Sequence, residues 1–336
     1  MPMQTDTERK VLAILRVLEE ARSPLGARVI ARRLKEFGIS LTERAVRYHL
    51  QLMDERGFTR CVGRRQGREI TERGLEELKE ARVGDKVGFA ISRIEILAFK
   101  TTFDPRRRRG VIPINVSLFP KGIFPEALEA MRPAFEAGIC VSSLVAMREG
   151  GETLGEIYVP EDRVGFATVC SVVLNGVLLK AGVPMSAKFG GILQVKDRAP
   201  VRFVELIHYA GSSLDPSEAF IRAKMTSVRE VAEVGEGKIL ANFREVPAPC
   251  KPLLEEVVKR LKGARIGGVL EIGEVGRPVC EIPVDENKVG VILLGGLNPV
   301  ACAQEEGIEA ENFAMSTTLD FRELTDFWEV YRRSRG

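Results

Sequence analysis

Apolar residues recur at the spacing of an α-helix in three successive segments near the start of the chain. They predict helices over residues 8–20, 25–37 and 42–53, with a short turn containing a glycine between the last two. Residues 60–70 favour a β-hairpin, because two short segments flank a tip that begins and ends with glycine. A further helix is predicted after the hairpin. This order of elements is typical of a winged helix-turn-helix.

The third helix presents long polar side chains one turn apart, and the tip of the hairpin is basic. Thr42 stands where it can cap the helix. A short helix fits the major groove of DNA, where basic side chains reach guanine edges or phosphates. A basic tip between two glycines suits a wing that lies against a phosphate backbone. The candidate DNA-binding residues are Thr42, Arg44, Arg47, Tyr48, Gln51, Arg64, Arg65 and Arg68.

The charge is unevenly distributed along the chain. Residues 28–68 contain eleven Lys or Arg and four acidic residues, a net charge of +7, whereas the whole chain carries only +3. This asymmetry is typical of a nucleic-acid-binding module joined to a different kind of domain. The alternative is a solvated basic face on a winged helix that binds other proteins.

Composition limits the remaining possibilities. The 336 residues, of which 45% are hydrophobic, predict two or three domains with substantial cores. We expect a cytoplasmic protein, because the N-terminus lacks the pattern of a signal peptide and the most apolar stretch, residues 164–179, is too short and too polar to span a membrane. The six cysteines are scattered and are expected to be free thiols. Two histidines and no P-loop predict neither a histidine-rich metal site nor a nucleotide cofactor.

The sequence after residue 82 contains an internal duplication. Several short segments of the first copy recur in the same order in the second copy, most of them 123 to 127 residues later. The matched residues are Gly110, Asn115 and Pro120 with Gly237, Asn242 and Pro247; Glu156-Ile157 with Glu281-Ile282; Val164-Gly165 with Val289-Gly290; Leu174-Asn175 with Leu297-Asn298; and, nearer the start of each copy, Glu95-Ile96-Leu97 with Glu205-Leu206-Ile207.

Each copy predicts the order strand, helix, strand, strand, helix, strand, which fits a ferredoxin-like unit. The second copy contains additional sequence, predicted as one helix over residues 217–233. The predicted fold class is α+β. A winged helix-turn-helix covers residues 1–82, and the two repeats of an α/β regulatory domain cover residues 83–200 and 201–336. The junction of two such units is a natural ligand cleft.

With a winged helix ahead of this duplicated unit, the chain resembles the NrpR family of nitrogen-regulation repressors. The resemblance covers most of the chain. It rests on the third helix (residues 42–50), on Thr101-Thr102-Phe103-Asp104-Pro105, and on the surroundings of Asn115 and of Asn175-Gly176. It implies a repressor that binds operators near nitrogen-assimilation genes as an oligomer, with 2-oxoglutarate as the inducing metabolite. Family members carry one or two regulatory domains, sometimes on separate chains, which leaves open whether this chain needs a second regulatory chain.

A small dianion needs fixed cations or backbone amides in its binding site. The first copy keeps Asn175-Gly176, where a bare backbone can approach an anion, and has Lys188 just beyond; the second copy has Pro299 at the matching position and is acidic. The expected effector-binding residues are Asn175, Gly176 and Lys188, with Ser142 or Ser143 as neutral donors. The alternative is structural, because asparagines at strand ends and helix starts often bind the local backbone.

One winged helix buries only about 600–1,000 Å² on DNA. We therefore expect a symmetric homodimer, or a higher homo-oligomer, that reads an inverted-repeat operator through two half-sites. Its dimer contact is expected in the duplicated domain. The competing hypothesis for the chain is a bifunctional winged-helix regulator with an enzymatic C-terminal domain. The sequence argues against this hypothesis, because no glycine-rich nucleotide loop is paired with a basic residue.

Overall fold

The computed structural model describes residues 3–63, 66–80 and 88–334. The chain divides into two compact units: the described residues up to 80 together with Glu156–Tyr158 form the N-terminal unit, and residues 88–155 and 159–334 form the C-terminal unit.

The N-terminal unit has the predicted order of three helices, a hairpin and a fourth helix. Its core consists of the apolar positions that gave the helical pattern, among them Leu15, Ile30, Leu34 and Leu50. The elements are α1 (Met3–Ala21), α2 (Ala27–Leu34), α3 (Glu43–Glu55), β1 (Thr59–Gly63), β2 (Gly67–Ile70) and α4 (Glu72–Glu80).

The second helix is shorter than predicted. It ends at Leu34 and continues as a single 3₁₀ turn, Lys35–Phe37. Gly38 then adopts a left-handed conformation with φ +71, which glycine reaches at no steric cost, and this residue ends the helical segment.

The C-terminal unit, which we call the regulatory unit, begins with a helix and contains the duplication. Its helices are α5 (Phe89–Lys100), α6 (Phe124–Glu136), α7 (Val172–Lys180), α8 (Pro216–Arg222), α9 (Val228–Glu233), α10 (Lys251–Gly263), α11 (Asn298–Glu305) and α12 (Phe327–Arg333). The strands after residue 88 are β3 (Val111–Pro120), β4 (Leu144–Glu149), β5 (Thr153–Leu154), β6 (Ile157–Tyr158), β7 (Arg163–Val169), β8 (Ser186–Lys196), β9 (Ala199–His208), β10 (Gly237–Pro247), β11 (Val269–Ile272), β12 (Lys288–Leu294), β13 (Glu311–Asp320) and β14 (Thr325–Asp326).

The duplication is visible as two matching sets of elements. The first half supplies β3, α6, β4, β7, α7 and β8, and the second supplies β10, α10, β11, β12, α11 and β13 in the same order. Both halves thus follow the predicted strand-helix-strand-strand-helix-strand order. The strands form two antiparallel five-stranded sheets, β13-β3-β7-β4-β14 and β11-β12-β10-β8-β9.

The two halves exchange their last strands. In the first sheet β13 pairs with β3, and in the second sheet β8 pairs with β10, so each sheet contains the last strand of the other half. The structure therefore differs from the predicted division at residue 200. That position lies inside β9, and the preceding strand, β8, already belongs to the second sheet. Each sheet is complete only when both halves are present, which also explains why one hydrophobic core spans both halves.

Two sequence-based assignments within the duplication are wrong. Glu95-Ile96-Leu97 lies in α5, which buries Ile94 and Leu97 at helical spacing, whereas Glu205-Leu206-Ile207 lies in β9, which forms a hairpin with β8. The helix predicted over residues 217–233 is two helices, α8 and α9. They are separated at Lys224, which has a left-handed φ of +54, a conformation that a regular helix cannot contain.

Candidate nucleic-acid interface and effector region

The third helix presents one exposed polar face and one buried apolar face. Thr42 caps it as predicted: its Oγ1 accepts a hydrogen bond from the backbone N–H of Ala45 at 3.1 Å. Val46, Leu50 and Met53 are buried in the core of the unit. The opposite face is exposed and carries the predicted groove residues, Arg44, Arg47, Tyr48 and Gln51.

These four side chains follow the i, i+3, i+4, i+7 spacing of one helix face. Tyr48 is 61% exposed, which is unusual for a large ring on a folded domain. Arg47 forms an ion pair with Glu43 one turn earlier, but both side chains are exposed. Since an exposed i, i+4 pair contributes only about 0.3–0.5 kcal/mol, Arg47 can exchange Glu43 for a base or phosphate at little cost.

The wing is fixed to the helices at its base. Leu25 and Arg68 form a β-bridge with two backbone hydrogen bonds. Gly67 lies so close to this bridge that a Cβ atom would come within 2.3 Å of the Leu25 carbonyl carbon and oxygen. Arg64 and Arg65, the predicted phosphate contacts at the tip, lie outside the described residues.

Arg68 has a different position from the one expected for a phosphate contact. Its Nε donates to Asp54 Oδ2 at 2.6 Å, and Asp54 also accepts from the Thr59 hydroxyl. The side chain of Arg68 therefore joins the hairpin to the C-terminal end of α3 and holds these two elements in a fixed relation.

The predicted effector residues fall into separate neighbourhoods of the regulatory unit. Asn175 is buried in α7 and accepts a hydrogen bond from Arg244 on β10. Gly176 lies within the same helix, where its N–H belongs to the helical ladder rather than to a free anion site. A Cβ at Gly176 would come within 2.3 Å of Thr101 Cβ, so glycine there permits close helix packing.

Lys188 forms an ion pair of 2.8 Å with Glu245, a buried residue on β10. Ser142 and Ser143 instead contact Arg265: the Ser142 hydroxyl donates to the Arg265 carbonyl, and the Arg265 guanidinium donates to Ser143 Oγ. The structure thus brings Asn175 and Gly176 together, commits Lys188 to a carboxylate of the protein, and gives the two serines a different neighbour. Burial of Glu245 is the physical reason for the Lys188 position, because a buried carboxylate needs a cation.

Arg244 was not among the residues predicted from the sequence. It lies on β10 between the buried Phe243 and Glu245 and is only 1% exposed. Each terminal nitrogen of the guanidinium donates to a neutral oxygen: one to Asn175 Oδ1 and the other to Ser171 Oγ. The matching position of the first copy is Ser117, and this departure from the repeat was the signal that could have identified Arg244.

A half-buried acidic pair lies in the same unit. Asp215 caps α8 by accepting hydrogen bonds from the N–H groups of Ser217 and Glu218, and Glu218 accepts one from the N–H of Ala314. Burial, together with repulsion from Asp215, raises the pKa of Glu218 to about 7. Burial also raises the pKa of Asp215.

The raised pKa of Glu218 predicts that the protein loses stability as pH rises. The folded protein retains this proton up to about pH 7, whereas an unfolded chain releases it near its ordinary pKa of about 4.3. The favourable contribution is therefore complete below about pH 4 and is lost towards pH 7, by about 3 kcal/mol. Urea unfolding of wild type and of Glu218→Gln between about pH 4 and pH 7 measures this loss of stability. The variant should show a flatter pH dependence than both wild type and Glu255→Gln, an exposed control; parallel curves for all three would contradict the prediction.

The cysteines are free, as expected. Burial raises the pKa of Cys170 to about 11 and that of Cys140, Cys280 and Cys302 to about 12, so these four thiols are neutral at pH 7.

A cavity of about 580 Å³ opens beside β8, β9 and β10. Lysines and glutamates line it in equal number, and none of the predicted effector residues lines it.

Within the described ranges, no helix is both long and apolar enough to cross a bilayer.

Comparison with known proteins assigns the family. The family model described as "NrpR regulatory domains NRD1 and 2" matches residues 87–326, and a second, described as "Ribonuclease R winged-helix domain", matches residues 12–78. The chain belongs to the NrpR family of nitrogen-regulating transcriptional repressors. This result confirms the resemblance inferred from the sequence and the predicted α+β fold class with its N-terminal winged helix.

Several NrpR relatives match nearly the whole chain. "Global nitrogen regulator NrpRI" of Methanosarcina mazei is 41% identical over 96% of this chain and 99% of its own length. "Global nitrogen regulator NrpR" of Methanococcus maripaludis and that of Methanocaldococcus jannaschii are 33% and 34% identical over 96% of this chain. The chain spans only 55% and 56% of these two relatives. All three are named as regulators.

A solved structure has a similar fold over much of the chain. The crystal structure of a nitrogen repressor-like protein from Methanococcus jannaschii aligns with a TM-score of 0.61 at 30% identity. It covers 72% of this chain and 99% of the matched chain.

Proposed function

We propose that this chain binds an inverted-repeat DNA operator as a homodimer in the cytoplasm, represses nitrogen-assimilation genes there, and is released by 2-oxoglutarate. The observation that carries the DNA contact is the exposed face of α3, with two arginines, a tyrosine and a glutamine at one-turn spacing on a capped helix. Arginine and glutamine offer bidentate donors and acceptors to base edges. The names of the relatives support the regulated process.

The proposed assembly follows from the size of the contact. One module covers a single half-site, whereas a twofold dimer covers two half-sites about 34–36 Å apart and gains both affinity and specificity. The regulatory unit is the proposed dimer contact, because the winged-helix unit is small and strongly basic, with a net charge of +7 over residues 28–68.

The proposed effector response is a shift between two states. 2-Oxoglutarate binds more tightly to the state in which the two winged helices do not match the spacing of the half-sites. A coupling free energy of about 1–3 kcal/mol weakens operator binding about 5- to 150-fold. Of the residues proposed from the sequence for this effector, Asn175 has the surroundings that best support the assignment, since its neighbour is the buried cation Arg244.

A titration of fluorescent operator DNA tests the proposal. Duplexes taken from upstream of nitrogen-assimilation genes are compared with an isolated half-site and with a scrambled sequence at one stated salt concentration, with and without 2-oxoglutarate. We expect tight binding to the inverted repeat, much weaker binding to the half-site, and release by 2-oxoglutarate but not by glutamate. Light scattering gives the oligomeric state in parallel. Equal affinity for operator and scrambled DNA would refute the DNA assignment, and a monomer with tight operator binding would refute the dimer.

A further inference from the structure

Arg244 is a buried cation with no counter-ion in the described part of the chain. Its guanidinium is bonded only to neutral oxygens, and its Nε is buried without a hydrogen-bond partner. No described carboxylate forms an ion pair with it, although Glu245 is the next residue and has its own partner in Lys188. Burying an unpaired guanidinium is strongly unfavourable, so such a residue persists where its charge has a use.

The groups around Arg244 come from both halves of the duplication. Ser171 and Asn175 belong to the first half, and Asn242 and Arg244 belong to β10 of the second. Asn242 donates to Ser171 Oγ and accepts from the hydroxyl of Tyr209. Every oxygen that faces the guanidinium in these contacts is neutral, and none of them supplies the negative charge that Arg244 lacks.

The two copies differ at this place, so there is one such cluster per chain. In the first copy the position of Arg244 is Ser117, whose hydroxyl donates to Asn312. In the second copy the position of Asn175 is Asn298, whose amide accepts from the backbone N–H of Leu240 and donates to its C=O. The asparagine on α7 thus faces a cation, whereas the matched asparagine on α11 has the structural role.

We propose that Arg244, with Asn175 and Ser171, is the receptor for one carboxylate of a small organic anion. The Nε and an adjacent terminal nitrogen present two parallel N–H donors, the arrangement that binds a carboxylate in a bidentate manner. Asn175 and Ser171 rearrange around the bound carboxylate and supply further polar contacts. This inference rests on the proposed effector response and names the residues that would carry it.

The surroundings of the cluster connect it to the N-terminal end of the regulatory unit. The helix α5, the first element after the unit boundary, packs its Ala90, Ile94 and Leu97 against Cys170, Val172 and Tyr209, which border the cluster. Arg93 of the same helix donates to the carbonyls of Met315 and Ser316. Because the cluster is buried beneath these side chains, an anion reaches Arg244 only when α5 or the segment of Tyr209 moves. Binding at Arg244 therefore requires movement of α5, the helix that follows the winged-helix unit in the chain, or of the Tyr209 segment.

An internal carboxylate tests the inference on the full-length protein. Asn175→Asp places a negative charge where Arg244 already donates. We expect its melting temperature without ligand to rise above that of wild type, because the buried cation gains a partner. We expect 2-oxoglutarate binding, measured by calorimetry, to weaken by more than about tenfold, because the receptor is already neutralised. Asn287→Asp, the same change at an exposed position, should leave both quantities at wild-type values.

Arg244→Gln is the second variant, and it should also lose 2-oxoglutarate binding. Succinate and inorganic phosphate are titrated alongside, and succinate is expected to compete where phosphate does not. Wild-type affinity for 2-oxoglutarate in Asn175→Asp, or no binding of either dicarboxylate to wild type, would overturn the inference. Operator affinity without ligand is measured for each variant. If carboxylates bind through Arg244 while wild type fails to bind operator DNA, the proposed function fails and the inference stands. If wild type and Asn175→Asp bind operator DNA and are released by the same concentration of 2-oxoglutarate, the inference fails and the proposed function stands.

Discussion

The double variant Arg44→Ala/Arg47→Ala should lose operator binding by a factor of about 30 to about 10⁴. Each arginine that reads a base contributes about 1–3 kcal/mol of discrimination, and the two side chains lie on one exposed helix face without shared partners. Folding should be nearly unchanged, because neither side chain is part of the core and the exposed Arg47–Glu43 pair contributes little. Anisotropy titrations of operator and scrambled DNA measure the effect.

The matched control is Lys259→Ala/Lys262→Ala, which removes two exposed cations at the same spacing from a helix of the regulatory unit. It should retain the ratio of operator to scrambled affinity, whereas the arginine variant should lower this ratio by the same factor by which it weakens operator binding. If both double variants bind operator DNA as wild type does, α3 is not the recognition helix. If the arginine variant weakens operator and scrambled DNA alike, these arginines contact phosphates only.

Lys188→Met should destabilise the protein by about 2–4 kcal/mol, even though Lys188 is 38% exposed. The reason is its partner: Glu245 is only 5% exposed and loses the cation that it pairs with when the ammonium is removed. Glu245→Gln should restore most of the lost free energy in the Lys188→Met background, because the buried carboxylate then no longer carries a charge. Urea unfolding of the two single variants and the double variant completes the cycle.

The same cycle decides between two roles of Lys188. A structural lysine predicts that Lys188→Met/Glu245→Gln releases operator DNA at the wild-type concentration of 2-oxoglutarate. A lysine that binds the effector predicts loss of the response even though stability is recovered. We expect the structural outcome, because the ammonium already lies 2.8 Å from a carboxylate of the protein.

Much of the N-terminal unit could be predicted, because its signals are local. Helical spacing of the apolar residues, a threonine at the N-cap and glycines around the wing each act within a few residues. The same periodicity places Arg44, Arg47, Tyr48 and Gln51 on one face, and the structure exposes that face. The position of Arg68 was not predictable in this way, since its partner Asp54 belongs to another element.

The regulatory unit shows where local signals end. The repeat in the sequence predicted two copies with the same order of elements, because the matched residues mark the same turns and strand ends in both. Sequence similarity alone gave no pairing partners, so the exchange of β8 and β13 between the halves went unpredicted. Two similar tripeptides were matched, Glu95-Ile96-Leu97 and Glu205-Leu206-Ile207, although the first lies in a helix and the second in a strand.

Local patterns in the chain were therefore enough to predict the order of most elements, the basic face of the winged helix, the duplication and, by resemblance, the family. Which side chains meet depends on the tertiary structure. It assigned Lys188 to Glu245, Ser142 and Ser143 to Arg265, and Asn175 to Arg244. The physical reason is that charge pairing in a buried region depends on strands and helices brought together from distant parts of the chain. A pattern of neighbouring residues contains no information about the partner that burial makes necessary.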